Sequence, residues 1–104
     1  MVREEALQAV ELYVIRDNEN GFAAFAGVEA DMLEMLFVAP SVRGKGLGRK
    51  LIEYLVAHRG IRRVDVNEQN TQAVGFYARM GFRVASRDAL DPSGRPYPIL
   101  HLTL

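Results

Sequence analysis

The sequence predicts a mixed α/β (α+β) fold, in which a mostly antiparallel sheet carries packed helices and includes one central parallel β-α-β crossover. Two strand-like stretches flank Asn20-Gly21, a dipeptide that supplies the positive backbone angles of a short hairpin turn. A helix pattern begins at Leu47, where apolar side chains recur every three or four residues. Residues 31–66 therefore run strand, helix, strand, and such a step gives parallel strands with a right-handed connection.

The first half of the chain predicts a short helix or turn followed by three strands. Residues 3–10 suit the helix or turn, and the segment ELYVIRDNENGFAAFAGV that follows suits the hairpin. A third strand over residues 31–38 is apolar on both faces apart from Glu34, a pattern typical of strands that are covered on both sides. Short links between three successive strands predict an antiparallel meander, and Pro40 ends the third strand.

The second half alternates helices with strands. The first helix runs from Leu47 to a stop at Gly60, and RRVDV forms the next strand. Asn70 suits the N-cap of a second helix that ends at Gly81. The buried face of that helix is predicted to hold Ala73, Phe76, Tyr77 and Met80. FRVASR and YPILHLTL are the last two strands, so the predicted order is β-β-β-α-β-α-β-β.

Composition narrows the classes of function. Lys and Arg number 13 and Asp and Glu number 13, so no net field favours nucleic acid or a membrane surface. The chain has no cysteine, which removes disulfides, thiolate nucleophiles and Cys-based zinc sites, and its two histidines lack metal-site spacing. The N-terminus lacks a signal-peptide pattern, and no apolar run approaches the roughly 20 residues of a membrane span. We therefore expect a cytoplasmic protein without nucleic acid, membrane or metal partners.

Residues 43–50, RGKGLGRK, gather three glycines and four cations at the start of the first helix. The unpaired N–H groups and the dipole of a helix N-terminus attract anions, and glycine lets the backbone approach phosphates closely. The spacing differs from that of the P-loop, GxxxxGK[ST], and from the dinucleotide pattern GxGxxG. The stretch predicts a phosphate site of another kind, and an ordinary strand-to-helix turn with solvated cations is the alternative.

The stretch LFVAPSVRGKGLGRKL resembles the signature of the GNAT superfamily, the acyl-CoA-dependent N-acyltransferases, in which [Gln/Arg]-x-x-Gly-x-[Gly/Ala] follows a strand ending in Val-x-Pro. Further along, NTQAVGFYARMGF resembles a second family motif, and the resemblance covers about residues 31–83. It implies a GNAT-like fold and transfer of an acetyl group from acetyl-CoA to a primary amine of a small molecule or peptide, by direct attack in a ternary complex. The alternatives are a non-catalytic coenzyme A-binding or regulatory module and a structural domain without a cofactor.

The resemblance also implies which residues contact the cofactor. In the family the cofactor lies where two parallel strands splay apart, which here would be residues 31–38 and 62–66. Backbone groups at the end of the first strand would pair with the pantetheine arm and face the oxyanion, and main-chain N–H groups of the glycine loop would hold the pyrophosphate. The implied cofactor-binding residues are Leu36, Phe37, Val38, Arg43, Gly44, Lys45, Gly46, Leu47, Gly48, Arg49 and Asn70.

Two residues are candidates for proton transfer. Tyr77 matches the family's tyrosine that acts as a general acid toward the leaving thiolate, and a phenol with a pKa of about 10 suits a thiol. Its alternative is a core tyrosine whose hydroxyl bonds to backbone. Glu34 would act as the base, directly or through water, if partial burial raises its pKa. Its alternatives are a solvent-facing position at a bulge and a pair with an arginine. His101, among apolar neighbours, is expected to be a satisfied core histidine.

The sequence begins almost at the second strand of the family's usual order. We therefore expect residues 1–104 to form a single acyl-CoA-binding domain that lacks the usual N-terminal strand and helices. In that case the acceptor site is either open or covered, together with the sheet edge, by a second copy in a homodimer.

Overall fold

The computed structural model describes residues 10–16 and 21–104. The predicted N-terminal helix or turn before Val10 and Asn20 of the hairpin turn lie outside the described residues. The chain divides into two compact units, one ending at Ile61 and one covering Arg62–Leu104. Each unit is described by itself below.

The first unit is an antiparallel meander followed by a helix. Its strands pair in the order β1-β2-β3, so that Tyr13 lies opposite Ala26, and Ala26 opposite Leu36. This order confirms the predicted meander, and the helix begins and ends where its periodicity and Gly60 predict. The elements are β1 (Glu11–Arg16), β2 (Phe22–Glu29), β3 (Met32–Val38), a short 3-10 helix (Pro40–Val42) and α1 (Leu47–Arg59).

One face of this three-stranded sheet packs beneath α1. Small side chains on β2, Ala24 and Ala26, are fully buried and let the helix approach the strand closely. The C-terminal end of α1 is fixed by Arg59, whose guanidinium donates to Glu11 Oε1 at 2.8 Å and to the Ala30 carbonyl at 3.1 Å. The largest fully buried side chains of the unit are Ile52, Leu55, Ile61 and Val28.

The opposite face of the same sheet is exposed within the described residues. Leu12 is 64% exposed, and Met35 and Phe37 of β3 are exposed as well. Phe37 stacks on Phe25 of the neighbouring strand, with 5.2 Å between ring centroids. The prediction that both faces of β3 are covered is therefore wrong within the described residues, where Met35 and Phe37 of the outer face are exposed.

The second unit is a three-stranded antiparallel sheet with one helix. The strands pair in the order β4-β6-β5, so that Val64 and Val84 both lie opposite Leu102. The unit consists of β4 (Arg63–Asn67), α2 (Thr71–Arg79), β5 (Arg83–Asp88) and β6 (Ile99–Thr103).

In β4 and β6 of the second unit, every second side chain points to the same face of the sheet and contributes to the core. Its buried side chains are Val64, Val66, Tyr77, Phe82, Leu100 and Leu102. Tyr77 is the buried residue of α2, whereas Ala73, Phe76 and Met80 are half-buried. The observed buried face of α2 is therefore narrower than the sequence predicts. Neither described helix is long and apolar enough to cross a bilayer.

Candidate active site

The glycine loop between β3 and α1 presents unpaired main-chain N–H groups. Gly44 and Gly46 adopt φ angles of +84° and +77°, and a Cβ at either position would meet nothing within 4 Å. The glycines are therefore required by backbone conformation rather than by crowding. The first turn of the helix has no side-chain cap, and within the described residues the N–H groups of Leu47 and Gly48 donate to no partner.

The cations of the loop differ in what they contact. Arg43 folds back, and its Nε donates to the Val38 carbonyl at 3.3 Å. The main-chain N–H groups of Arg43 and Lys45 are engaged in turn bonds of 3.4 Å, longer than a typical N–H···O bond. Arg49 lies 3.5 Å from Glu53 on the exposed surface of α1. Within the described residues, the main-chain donors left free are therefore those of Gly44 and Gly46 in the loop and those of Leu47, Gly48 and Arg49 in the first turn of α1.

This arrangement fits a pyrophosphate. The free N–H groups of the first turn, the positive end of the helix dipole and the surrounding cations all favour a dianion. The last residues of β3, Leu36–Val38, lead directly into the loop, and the Ala39 N–H donates to the Ala23 carbonyl at 2.9 Å, which fixes the start of the loop. The contacts of these residues with coenzyme A stay a prediction.

Tyr77 is only 7% exposed and lies edge-on to Phe82, with ring centroids 5.5 Å apart. Burial raises the pKa of its phenol to about 12, so the expected pKa of about 10 is wrong. No described residue hydrogen-bonds the hydroxyl, which rules out, within this part of the chain, the alternative of a backbone-bonded tyrosine. The phenol therefore stays protonated at neutral pH and is a weaker acid than a phenol with the ordinary pKa.

Glu34 lies at a β-bulge. The register shifts so that Gly27 faces Met35 while Val28 faces Leu33, which leaves Glu34 without a partner residue across the ladder. Its side chain is exposed. Of the alternatives that the sequence leaves open for Glu34, the solvent-facing position at a bulge is confirmed and partial burial is not. Whether Glu34 acts as a base stays a prediction.

Asn70 caps α2, as predicted, because its Oδ1 accepts from the Ala73 N–H at 3.1 Å. The turn before it is also closed by a side chain, since Asn67 Oδ1 accepts from the Gln69 N–H at 2.8 Å. Two asparagines therefore fix the path of the chain from the end of β4 into the helix that carries Tyr77.

His101 is not a core histidine. Its Nδ1 lies 2.7 Å from Asp65 Oδ1 and its Nε2 lies 2.7 Å from Asp88 Oδ2. Asp88, and to a lesser extent Asp65, raise the pKa of the imidazole. Alternation in the sequence could have indicated this position, because His101 lies between the buried Leu100 and Leu102 and so points to the other face.

Among residues 10–16 and 21–104, no three His, Asp or Glu side chains lie together in a way that suits a metal ion. The imidazole between Asp65 and Asp88 uses both ring nitrogens for the two carboxylates. This cluster therefore forms ion pairs across three strands.

Comparisons with known proteins agree on one family. Residues 8–84 match the model of the acetyltransferase (GNAT) domain. The peptidyl-lysine N-acetyltransferase YjaB of Salmonella typhimurium is 44% identical over 87 residues, which cover 84% of this chain and 58% of that protein. The chain thus spans less than two thirds of the curated relative it matches.

Solved structures give the same result. The apo-form YjaB of Escherichia coli superposes with a TM-score of 0.80 at 39% identity, over 88% of this chain and 63% of that one. A nourseothricin acetyltransferase superposes with a TM-score of 0.75 at 25% identity, over 92% of this chain and 65% of that one. These likenesses confirm the predicted mixed α/β fold class.

Proposed function

Because the chain belongs to the GNAT acetyltransferase family, we propose that it transfers an acetyl group from acetyl-CoA to a primary amine of a small molecule or peptide. The membership confirms the resemblance carried by its two motifs. The name of the YjaB relative, a peptidyl-lysine N-acetyltransferase, supports a peptide amine as one acceptor class. The observation that carries the proposal is the group of unpaired N–H donors at the start of α1, within the family's own motif.

In this proposal, main-chain groups hold the cosubstrate. The free N–H groups of Leu47, Gly48 and Arg49 donate to the pyrophosphate, and the neighbouring cations neutralise its charge. The main chain of residues 36–38 pairs with the pantetheine arm, and a main-chain N–H there donates to the developing oxyanion. Acetyl-coenzyme A, when bound, supplies the activated thioester. The other proposed contacts are those of Arg43, Gly44, Lys45, Gly46 and Asn70.

Proton transfer is assigned to two residues. The amine must lose a proton to attack, and Glu34 takes that proton directly or through a water molecule. Its exposed position at the bulge gives water access to the carboxylate but does not supply the burial on which the predicted role as base depends. Tyr77 donates a hydrogen bond, and then its proton, to the departing sulfur. Tyr77 is protonated at neutral pH, but burial raises the pKa of the phenol to about 12, so proton transfer to a thiolate, whose thiol has a pKa of about 8.5, is uphill.

The proposal also covers the oligomeric state of the protein and its location in the cell. The apolar outer face of the first unit's sheet, which includes Leu12, Met35 and Phe37, supports a homodimer that covers it. Sedimentation at high protein concentration tests this part, since a monomer throughout the concentration range would contradict it. We also propose that residues 1–104 act as one acyl-CoA-binding domain, in the cytoplasm.

The central experiment combines a binding measurement with a turnover measurement. Amide shifts of residues 43–49 are followed while acetyl-CoA is added, with acetyl-pantetheine, which lacks the pyrophosphate, as the control ligand. Free-thiol release is then followed with a panel of lysine peptides, polyamines and small amines. Binding with thiol release supports the proposal. Binding without release across the panel indicates the non-catalytic module, and an absence of binding contradicts any coenzyme A function.

A further inference from the structure

Glu68, in the turn between β4 and α2, contacts both ends of the loop that joins β5 to β6. Its carboxylate accepts from Arg87 twice, Nε to Oε2 at 2.6 Å and Nη2 to Oε1 at 3.1 Å. Its main-chain N–H donates to the Pro98 carbonyl at 2.9 Å. Arg87 lies just before the loop, residues 89–98, and Pro98 ends it. A single residue therefore holds the loop at its start and at its end.

The loop itself is closed by its own hydrogen bonds. Asp91 Oδ1 accepts from the Ser93 hydroxyl at 2.8 Å and from the Ser93 and Arg95 N–H groups at 2.9 Å each. These bonds, with the Arg95 N–H first, lower the pKa of the Asp91 carboxyl, so the carboxylate form that accepts them persists at neutral pH. We therefore expect residues 89–98 to move as one rigid segment that is attached to the rest of the unit at its two ends.

The same turn is connected to the start of α2. The Asn70 N–H donates to the Asn67 carbonyl at 3.0 Å, and Asn70 in turn caps the helix through the Ala73 N–H. Glu68 lies between these two asparagines. Displacement of its side chain or main chain therefore acts directly on the first turn of α2, which precedes Tyr77 on the same helix.

We propose that Glu68 is a positioning residue that couples the 89–98 loop to the start of α2, and through that helix to Tyr77. Because two parallel hydrogen bonds join Glu68 and Arg87, the pair fixes the relative orientation of the two side chains as well as the distance between them. Leu90 and Tyr97 are exposed on the loop, so a molecule that contacts them also shifts the helix that carries the phenol. The effect on catalysis rests on the proposed function, whereas the mechanical coupling does not.

The test compares Glu68→Gln with Glu29→Gln, which removes the same charge from an exposed position at the end of β2. Amide hydrogen exchange is measured across the chain. In Glu68→Gln we expect exchange at residues 89–98 and at residues 71–74 to rise together, by up to about fivefold for an exposed ion pair, with β4 and β6 unchanged. Faster exchange in the loop alone, or in neither segment, would overturn the inference.

Arg87→Lys provides a second variant that keeps the charge and loses the two-pronged contact. We expect it to show an intermediate increase in exchange at both segments. An exchange pattern equal to that of Glu68→Gln would contradict the role of bidentate geometry.

A kinetic readout separates positioning from simple stabilisation. If Tyr77 is the general acid, Glu68→Gln lowers kcat and leaves the affinity for acetyl-CoA unchanged, because the phosphate-binding amides lie in α1. A wild-type chain that releases no thiol removes the proposed function, and the exchange experiment then still decides the coupling. An active wild type with an equally active Glu68→Gln variant removes the catalytic consequence of the coupling.

Discussion

The Nε2 atom of His101 lies 2.7 Å from Oδ2 of Asp88, and this contact contributes most to the raised pKa of the imidazole. A histidine whose pKa is higher in the folded than in the unfolded state stabilises the fold fully below its unfolded pKa of about 6.5. That stabilisation is lost as the pH rises through the folded pKa. The free energy of unfolding of the second unit is therefore expected to fall as the pH rises from about 6.5 through the folded-state pKa of His101.

NMR titration of the imidazole checks this expectation. Asp88→Asn is predicted to lower the pKa of His101 more than Asp65→Asn, because Asp88 is the larger cause of the shift. The reverse order, or a pKa at the unfolded value in the wild type, would contradict the ion-pair geometry.

Tyr77→Phe is predicted to slow acetyl transfer by about 100-fold or more, the usual contribution of a general acid, with the affinity for acetyl-CoA unchanged. The substitution removes only a hydroxyl that forms no hydrogen bond with the described residues, so stability should change little. Tyr54→Phe, at an exposed tyrosine of α1, is the matched control. An unchanged thiol-release rate in Tyr77→Phe would exclude this residue from the mechanism.

Gly46→Ala is predicted to lose about 1 kcal/mol of folding free energy, because an alanine is strained at its positive φ of +77°. Gly60→Ala imposes the same strain at the other end of α1, where φ is +71°. Thermal unfolding should show similar losses in the two variants. Affinity for acetyl-CoA should fall only in Gly46→Ala, and an equal fall in both would indicate a general effect of stability.

Leu55→Ala is predicted to cost about 2–5 kcal/mol, because the side chain is fully buried beneath the sheet of the first unit. That cost is a large part of the stability of a chain of this size. Val56→Ala, at the next residue, changes a side chain that is 37% exposed and should cost much less. Chemical denaturation with a cooperative fit measures both, and similar losses would contradict the assigned orientation of α1.

The sequence predicts the elements well where local chemistry decides them. Gly60 and Asn70 end and cap helices with bonds that involve only nearby residues, and both predictions are confirmed. The start of α1 at Leu47, directly after the glycine loop, is predicted equally well, because glycine spacing and helix periodicity are local features. The phosphate contacts of the loop stay a prediction. Which N–H groups of the loop form hydrogen bonds, however, depends on turn geometry that amino-acid composition does not determine.

Predictions that depend on distant neighbours were less successful. The sequence leaves open whether Glu34 is partly buried or faces solvent at a bulge, because the bulge in β3 arises from its pairing with β2. His101 was assigned to the core because its carboxylate partners, Asp65 and Asp88, come from two other strands. The pKa of Tyr77 depends in the same way on what packs around its ring.

Arg59 makes the N-terminal end of α1, the proposed phosphate site, depend on residues far from it. Thirteen residues of helix separate the glycine loop from the guanidinium that holds Glu11 and the Ala30 carbonyl, a distance of about 20 Å. Anchoring the far end limits how much the helix axis can tilt, so the donors at its near end lose little freedom when an anion arrives. Substitution at position 59 would therefore weaken nucleotide recognition chiefly through entropy, leaving every residue of the recognition motif intact.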